Sequence, residues 1–101
     1  MDPFCGSGTI PIEAALLASR IPPGLASPER APRPYRFGSW PDHPAAAWAA
    51  CVEEGRSGVL AKAPTPLLGF DRDPGAVRAA RANAGRAGVQ EDVELLSLIH
   101  I

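Results

Sequence analysis

The stretch Asp2-Pro3-Phe4-Cys5-Gly6-Ser7-Gly8-Thr9, running directly into Ile10-Pro11-Ile12-Glu13-Ala14-Ala15-Leu16-Leu17-Ala18, decides how the rest of the chain is read. An acid, a loop with two glycines and then an apolar helical run form the order that a strand-loop-helix ligand site requires. Glycine lets backbone approach a ligand that any Cβ would hold off. The loop lacks the lysine of a G-x-x-x-x-G-K-[ST] phosphate loop, and it is not a G-x-G-x-x-G dinucleotide fingerprint. A carboxylate at Asp2, just ahead of the glycines, points instead to a ligand with a cationic group.

Outward from this stretch the elements alternate. Met1 to Phe4 read as the end of a first strand. Thr9 to Arg20 is predicted as a helix, with Ser7 or Thr9 as its N-cap and Pro11 tolerated in a first turn whose amides have no helical acceptor. Pro22-Pro23-Gly24 ends it. Seven of the twelve prolines fall between Ile21 and Pro44, a density that excludes a continuous helix or a central strand there. Pro44 to Glu54 reads as a second helix with Gly55 beyond its end, followed by a loop over residues 55–66. Leu67-Leu68-Gly69-Phe70 is a short apolar run ending in Asp71, the pattern of a buried parallel strand. Asp73 supplies an N-cap and Pro74 a first-turn proline for a helix through Ala87, which Gly88 stops in the left-handed conformation. Val77, Ala80, Ala84 and Ala87 give that helix one face of small residues suited to lying close on a sheet, with Arg78, Arg81 and Arg86 off the stripe. Asp92 to Leu98 reads as another strand. The order predicts an α/β fold, a parallel sheet with flanking helices and a proline-rich insertion over about residues 21–66.

In open α/β sheets ligands bind at the carboxyl ends of strands, and both Asp2 and Asp71 fall at such ends. An acid at the end of the second strand can accept hydrogen bonds from both hydroxyls of a ribose. S-adenosylmethionine, with an ammonium, a sulfonium and a ribose, meets both requirements. Asp73, directly before Pro74, is better suited to capping than to a ligand. Cys5 has no accompanying base and reads as a small apolar loop residue. His43 and His100 have no metal-ligand spacing to a second histidine or cysteine, and no metal is expected. Glu13 is explained equally by a cofactor contact and by the helix dipole. Arg30, Arg33 and Arg36 stand beside Tyr35, Phe37 and Trp40, a composition suited to phosphate contact and base stacking, although Phe37 and Trp40 are expected to anchor the insertion.

Asp2 to Thr9 followed by Ile12-Glu13-Ala14-Ala15 resembles the first motif of class I methyltransferases that methylate exocyclic amino groups in RNA. The resemblance is closest to the large-subunit ribosomal RNA guanine-N2 methyltransferases and their transfer RNA relatives, which usually carry an upstream THUMP RNA-binding domain. Pro22-Pro23-Gly24, Arg36-Phe37-Gly38-Ser39-Trp40-Pro41 with Trp48, and Gly69-Phe70-Asp71-Arg72-Asp73-Pro74 with Asn83-Ala84 and Ala87-Gly88-Val89 extend it to about Val93. It implies a partial Rossmann-like fold and S-adenosyl-L-methionine as cofactor. It also implies a cofactor site of Asp2, Pro3, Cys5, Gly6, Ser7, Gly8, Thr9 and Asp71, with Asp71 on the ribose, and ribosomal RNA as the partner. The Asp-Pro-Phe-x-Gly-Ser-Gly-Thr loop is shared with DNA adenine and cytosine amino-methyltransferases, and the Phe-Gly-Ser-Trp-Pro segment and the insertion tilt the choice toward RNA. A fragment without activity is the alternative of another class. The family's Asn/Asp-Pro-Pro-Tyr/Phe motif, which holds the target amine, is absent, so no catalytic residue is assigned. Leu96-Ser97-Leu98-Ile99-His100-Ile101 departs from the family pattern and is expected to be a non-native tail. Residues 1–95 are then a partial methyltransferase domain.

A chain of 101 residues is one domain at most, and a doubly wound sheet needs more strands than this length supplies once the insertion is deducted. It is expected to be a fragment. A net charge of −1 does not mark a nucleic-acid binder, so any grip on RNA is local or lies elsewhere. No apolar run approaches a membrane span and no secretory signal is visible, which predicts a cytoplasmic protein without a membrane partner. Two cysteines without C-x-x-C spacing fit a reducing compartment.

Overall fold

Leu67–Asp71 (β1) and Val93–Ser97 (β2) pair in parallel, with Gly69 opposite Leu95 and Asp71 opposite Ser97. The computed structural model describes residues 1–98; the expectations for His100 and for residues 99–101 lie outside them. On the other side of β1, Asp2 forms a parallel bridge to Gly69, its amide donating to the Leu68 carbonyl at 2.9 Å and its carbonyl accepting from Phe70 at 2.7 Å. The first strand read from Met1 to Phe4 is thus present as this one bridge. The spatial order is Asp2 segment, β1, β2.

Two helices cover one face of the sheet. Thr9–Ala18 (α1) and Pro74–Ala87 (α3) touch each other and both strands. The small-residue stripe does what its sizes allow: Val77, Ala80 and Ala84 are buried and Ala87 packs at the margin. Asp73 caps α3 by accepting from the Gly75 amide at 2.9 Å, and Gly88 ends it at φ 76°. The N-cap of α1 differs from expectation. It is Gly8, at φ 89° and without a side-chain cap, because the loop enters the helix in a left-handed turn that Ser7 or Thr9 would adopt only with strain. The helix also stops at Ala18 rather than Arg20, where Ser19 and Arg20 form a turn and Arg20 takes φ 56°.

Gly69 and Gly8 set how closely these layers approach. A Cβ on Gly69 would stand 2.8 Å from Leu95 Cδ2 and 3.1 Å from Pro11 Cγ, so the middle of β1 has room only for backbone beneath α1. A Cβ on Gly8 would stand 2.9 Å from Ala80 Cβ, so the loop rests directly on α3.

The insertion leaves the sheet after α1 and rejoins it at Leu67, both at the amino ends of the strands. Its helix runs over Ala45–Ser57 (α2), three residues beyond the expected end at Glu54. Gly55 is inside it, facing Pro22, whose Cγ would be 3.1 Å from a Cβ there. An Arg56–Glu53 ion pair at 3.1 Å spans the added turn, and Gly58 is the cap. Tyr35 and Phe37 stack at 5.3 Å between centroids, and Trp48 of α2 meets both rings edge-on. Phe37 also meets Trp40 edge-on and contacts His43. These ring contacts lie within the insertion and join its own segments, whereas the sequence predicts that Phe37 and Trp40 anchor it on the domain. Arg30 is claimed by the fold: its guanidinium donates to the carbonyls of Ser27 at 2.8 Å, Ala87 at 2.9 Å and Gly88 at 2.7 Å. It thereby ties the insertion to the carbonyl end of α3, where a cation also complements the helix dipole.

Phe4, Ile10 and Leu17 are 80%, 70% and 82% exposed, a large apolar share for so small a core. Expressed alone, the 101-residue chain is expected to melt without a cooperative transition and to bind an apolar dye such as ANS. A sharp, reversible melt without dye binding would show that the described core suffices by itself.

Candidate functional site

The carboxyl ends of the Asp2 segment and β1 bring together the two acids that the sequence singled out. Asp71 is the junction. One carboxylate oxygen, Oδ2, accepts from the Gly6 amide at 3.0 Å, and Oδ1 accepts from the Asp73 amide at 2.9 Å. These two bonds, from Asp73 first and Gly6 second, hold the Asp71 carboxyl below its ordinary range, so it stays an anion. A carboxylate has about four lone-pair positions. Two accepted bonds leave both oxygens able to accept from a ligand.

Asp2 lies on the other side of the loop. Its Oδ1 accepts from the Phe4 amide at 3.0 Å, closing a tight turn over Pro3, while its backbone is fixed by the bridge to β1. Burial, and then the nearby charges of Asp71 and Asp2, push the Cys5 thiol up. The raised value keeps Cys5 a neutral thiol. The Cys5 side chain is buried in the core against Gly69, while its amide donates to Phe70 and its carbonyl accepts from Gly8, both at 2.8 Å. Cys5 is therefore turned away from the loop's outer surface and shapes the loop through its backbone.

The two loop glycines have different reasons to be glycine. Gly6, at φ 53°, has nothing within 4 Å of the position where a Cβ would stand. Its open side is the part of the loop that a ligand can approach. Gly8 has its open space filled by Ala80, so the expectation that a side chain there would block a ligand is replaced by a clash inside the protein. Ser7 and Thr9 are exposed at the start of α1, whose N-terminus carries no side-chain cap. Uncapped first-turn amides and the positive end of the helix dipole suit a carboxylate.

The arrangement fits a zwitterionic ligand with a ribose. Asp2 is available to an ammonium, the α1 N-terminus to a carboxylate, and Asp71 to hydroxyls. Glu13 is exposed on α1, and Asp73 is occupied by its cap. Among the described residues no group of three or more His, Cys, Asp or Glu is placed to hold a metal, and no helix is long and apolar enough to cross a membrane. One residue that sequence reading passed over is Asn83, whose Nδ2 donates to the Ser7 carbonyl at 2.9 Å. Its only sequence signal is its place in the Asn83-Ala84 pair.

Comparison with known proteins identifies the family. A family described as RMKL-like, methyltransferase domain, matches residues 1–99. The ribosomal RNA large subunit methyltransferase K/L of Syntrophotalea carbinolica is 44% identical over 93 residues, which are 88% of this chain and 12% of that protein. The chain therefore spans about an eighth of the length of this curated relative. Among solved structures, SMU.472 complexed with SAH superposes with a TM-score of 0.85 at 33% identity, over 96% of this chain and 24% of that one. A predicted N6-adenine-specific DNA methylase from Listeria monocytogenes str. 4b F2365 gives 0.80 at 34%, over 96% and 24%. The sheet and helices are accordingly a part of the Rossmann-like α/β methyltransferase fold, and the chain belongs to the RMKL-like methyltransferase domain family.

Proposed function

We propose that this chain is the cofactor-binding part of an S-adenosylmethionine-dependent RNA methyltransferase of the cytoplasm, acting on guanine N2 of ribosomal RNA. The observation that carries the proposal is Asp71, an anion at a strand end that already braces the glycine loop and keeps acceptor capacity on both oxygens. Family membership and the name of the Syntrophotalea relative support the reaction and the RNA. Residues 1–95 would be the native domain segment. The family match nonetheless extends to residue 99, and β2 pairs Leu96 with Phe70 and Ser97 with Asp71. Sequencing the parent gene across that junction tests this.

In the bound state Asp71 would accept from the ribose hydroxyls and Asp2 would face the ammonium. Pro3, Gly6, Ser7, Gly8 and Thr9 would form the wall along the methionine portion, with Cys5 supporting it from behind. The cofactor supplies a methyl group on a sulfonium. The protein's part is alignment, which contributes much of the rate in a direct displacement. Groups that orient the target amine would come from elsewhere in the complete protein, acting on a flipped or unpaired base. The Listeria relative named for DNA adenine supports a second reading, a DNA amino-methyltransferase. Methyl transfer by the complete protein to unmodified ribosomal RNA but not to DNA selects the first.

Asp71→Ala in the complete protein is expected to weaken S-adenosylmethionine binding roughly tenfold to several hundredfold, through lost charged hydrogen bonds. Because the folded-state carboxyl is held below its ordinary range, its contribution is full above that range and is lost only as pH falls through it. Calorimetry should then show wild-type affinity free of any Asp71 titration near neutral pH. Unchanged affinity in the variant would remove Asp71 from the site.

The two glycines should separate by phenotype. Gly8→Val is expected to destabilise the protein by roughly 1–3 kcal/mol or more through overpacking against Ala80, lowering Tm. Gly6→Ala has room for its methyl group, so it is expected to cost about 1 kcal/mol of backbone strain while weakening cofactor binding disproportionately. Equal loss of stability in both variants would contradict this division.

With Arg30 held by carbonyls, Arg33 and Arg36 are what remains for phosphate of the three arginines beside the insertion's aromatic rings. Trp40 and Tyr35 are 61% and 39% exposed beside them, and the Arg33 guanidinium lies 5.9 Å from the Tyr35 ring centre. Replacing Arg33 and Arg36 by Gln is expected to lower RNA affinity and flatten its salt dependence by roughly one to two units of slope, with cofactor binding unchanged. Identical slopes in filter-binding titrations would leave these arginines with packing alone.

A further inference from the structure

The glycine loop is bound from in front by Asp71, and its rear is held by a different helix. Asn83 lies on α3, 76 positions from Ser7 in the chain, and its side-chain Nδ2 donates to the Ser7 carbonyl at 2.9 Å. Its other amide atom, Oδ1, accepts from the Arg86 guanidinium one turn further along the helix. Arginine has donors only, so this contact fixes which way the amide faces. With Oδ1 committed to Arg86, the NH2 group must point at the loop. Three residues before Asn83 on the same helical face, Ala80 touches the position a Cβ would take on Gly8. The loop is therefore seated on α3 at two successive points, one steric at Gly8 and one hydrogen-bonded at Ser7.

We infer that Asn83, oriented by Arg86, is a positioning residue that sets the conformation of the Gly6-Ser7-Gly8 loop and through it the affinity for cofactor. This rests on the proposed cofactor site for its consequence, though not for its geometry. The peptide joining Ser7 to Gly8 carries both the carbonyl that Asn83 holds and the amide that donates to Cys5 at 2.8 Å. Release of the first loosens the second, and with it the Gly6 amide on Asp71. A loop that must be ordered at the moment of binding weakens the ligand by the cost of that ordering.

Asn83→Asp is the discriminating variant. It keeps an acceptor for Arg86 but removes the donor to Ser7 and sets a carboxylate against a carbonyl. Asn83→Ala removes both contacts without adding charge. In the complete protein both are expected to weaken S-adenosylmethionine and S-adenosylhomocysteine binding roughly three- to tenfold, with Asp the worse. Amide exchange should accelerate at Gly6 and Gly8 while β1 and the middle of α3 keep their protection. Arg86→Gln should shift both readouts in the same direction by less. Parent-like affinity and parent-like loop exchange in both Asn83 variants would overturn the inference. So would a uniform rise in exchange with a lowered Tm, which would make Asn83 a general stabiliser. If the parent itself binds no cofactor, the proposed function fails, and selective acceleration at Gly6 and Gly8 still upholds the latch.

Discussion

The hydrogen bond from the Gly6 amide to the Asp71 carboxylate is the contact on which the rest of the site depends. It joins residues 65 positions apart, and it closes the first loop onto the end of the next strand. The second oxygen of Asp71 takes the Asp73 amide, which begins the turn into α3. One carboxylate thus fixes the exit of β1, the entry of α3 and the mouth of the glycine loop. Its ionisation is secured by the same bonds, since both donors favour the anion. A group that shapes the fold in this way is already oriented before a ligand arrives, which lowers the cost of binding.

Close approach is the second constraint, and it is met by omission of side chains. Gly8 against Ala80, and Gly69 between Pro11 and Leu95, let α1, α3 and β1 approach more closely than larger residues would permit. The buried positions of α3 are alanine and valine for the same reason. Such packing leaves little volume to absorb a change. It also couples the loop to the core, because the loop lies on α3 rather than above it. The site is consequently held by two helices and a strand and does not stand as a free loop.

The insertion is attached to the opposite end of the sheet from the cofactor loop. Arg30 fastens it to the last carbonyls of α3, and the Tyr35, Phe37, Trp40 and Trp48 rings pack against one another in a partly exposed cluster. It extends the molecule to principal dimensions of 55 × 26 × 17 Å. Its connection at the amino ends of the strands separates it from the candidate cofactor loop, so its surface is free to serve another contact.

Local signals determined much of this in the sequence itself. The alternation of apolar runs with Gly and Pro punctuation fixed β1 over Leu67–Asp71 and α3 over Pro74–Ala87, including the Asp73 cap and the Gly88 stop, because caps and left-handed turns are written in neighbouring residues. Asp2 and Asp71 were legible as strand-end acids for the same reason. The employment of Arg30 by helix carbonyls, the burial of Cys5 and the hold of Asn83 on Ser7 were decided only by tertiary structure. Each depends on a partner 57 or more positions away in the chain. Residue type alone cannot say whether an arginine will meet a carbonyl or a phosphate, or whether a glycine yields space to a ligand or to a neighbouring helix. That choice belongs to whatever the folded chain brings alongside it.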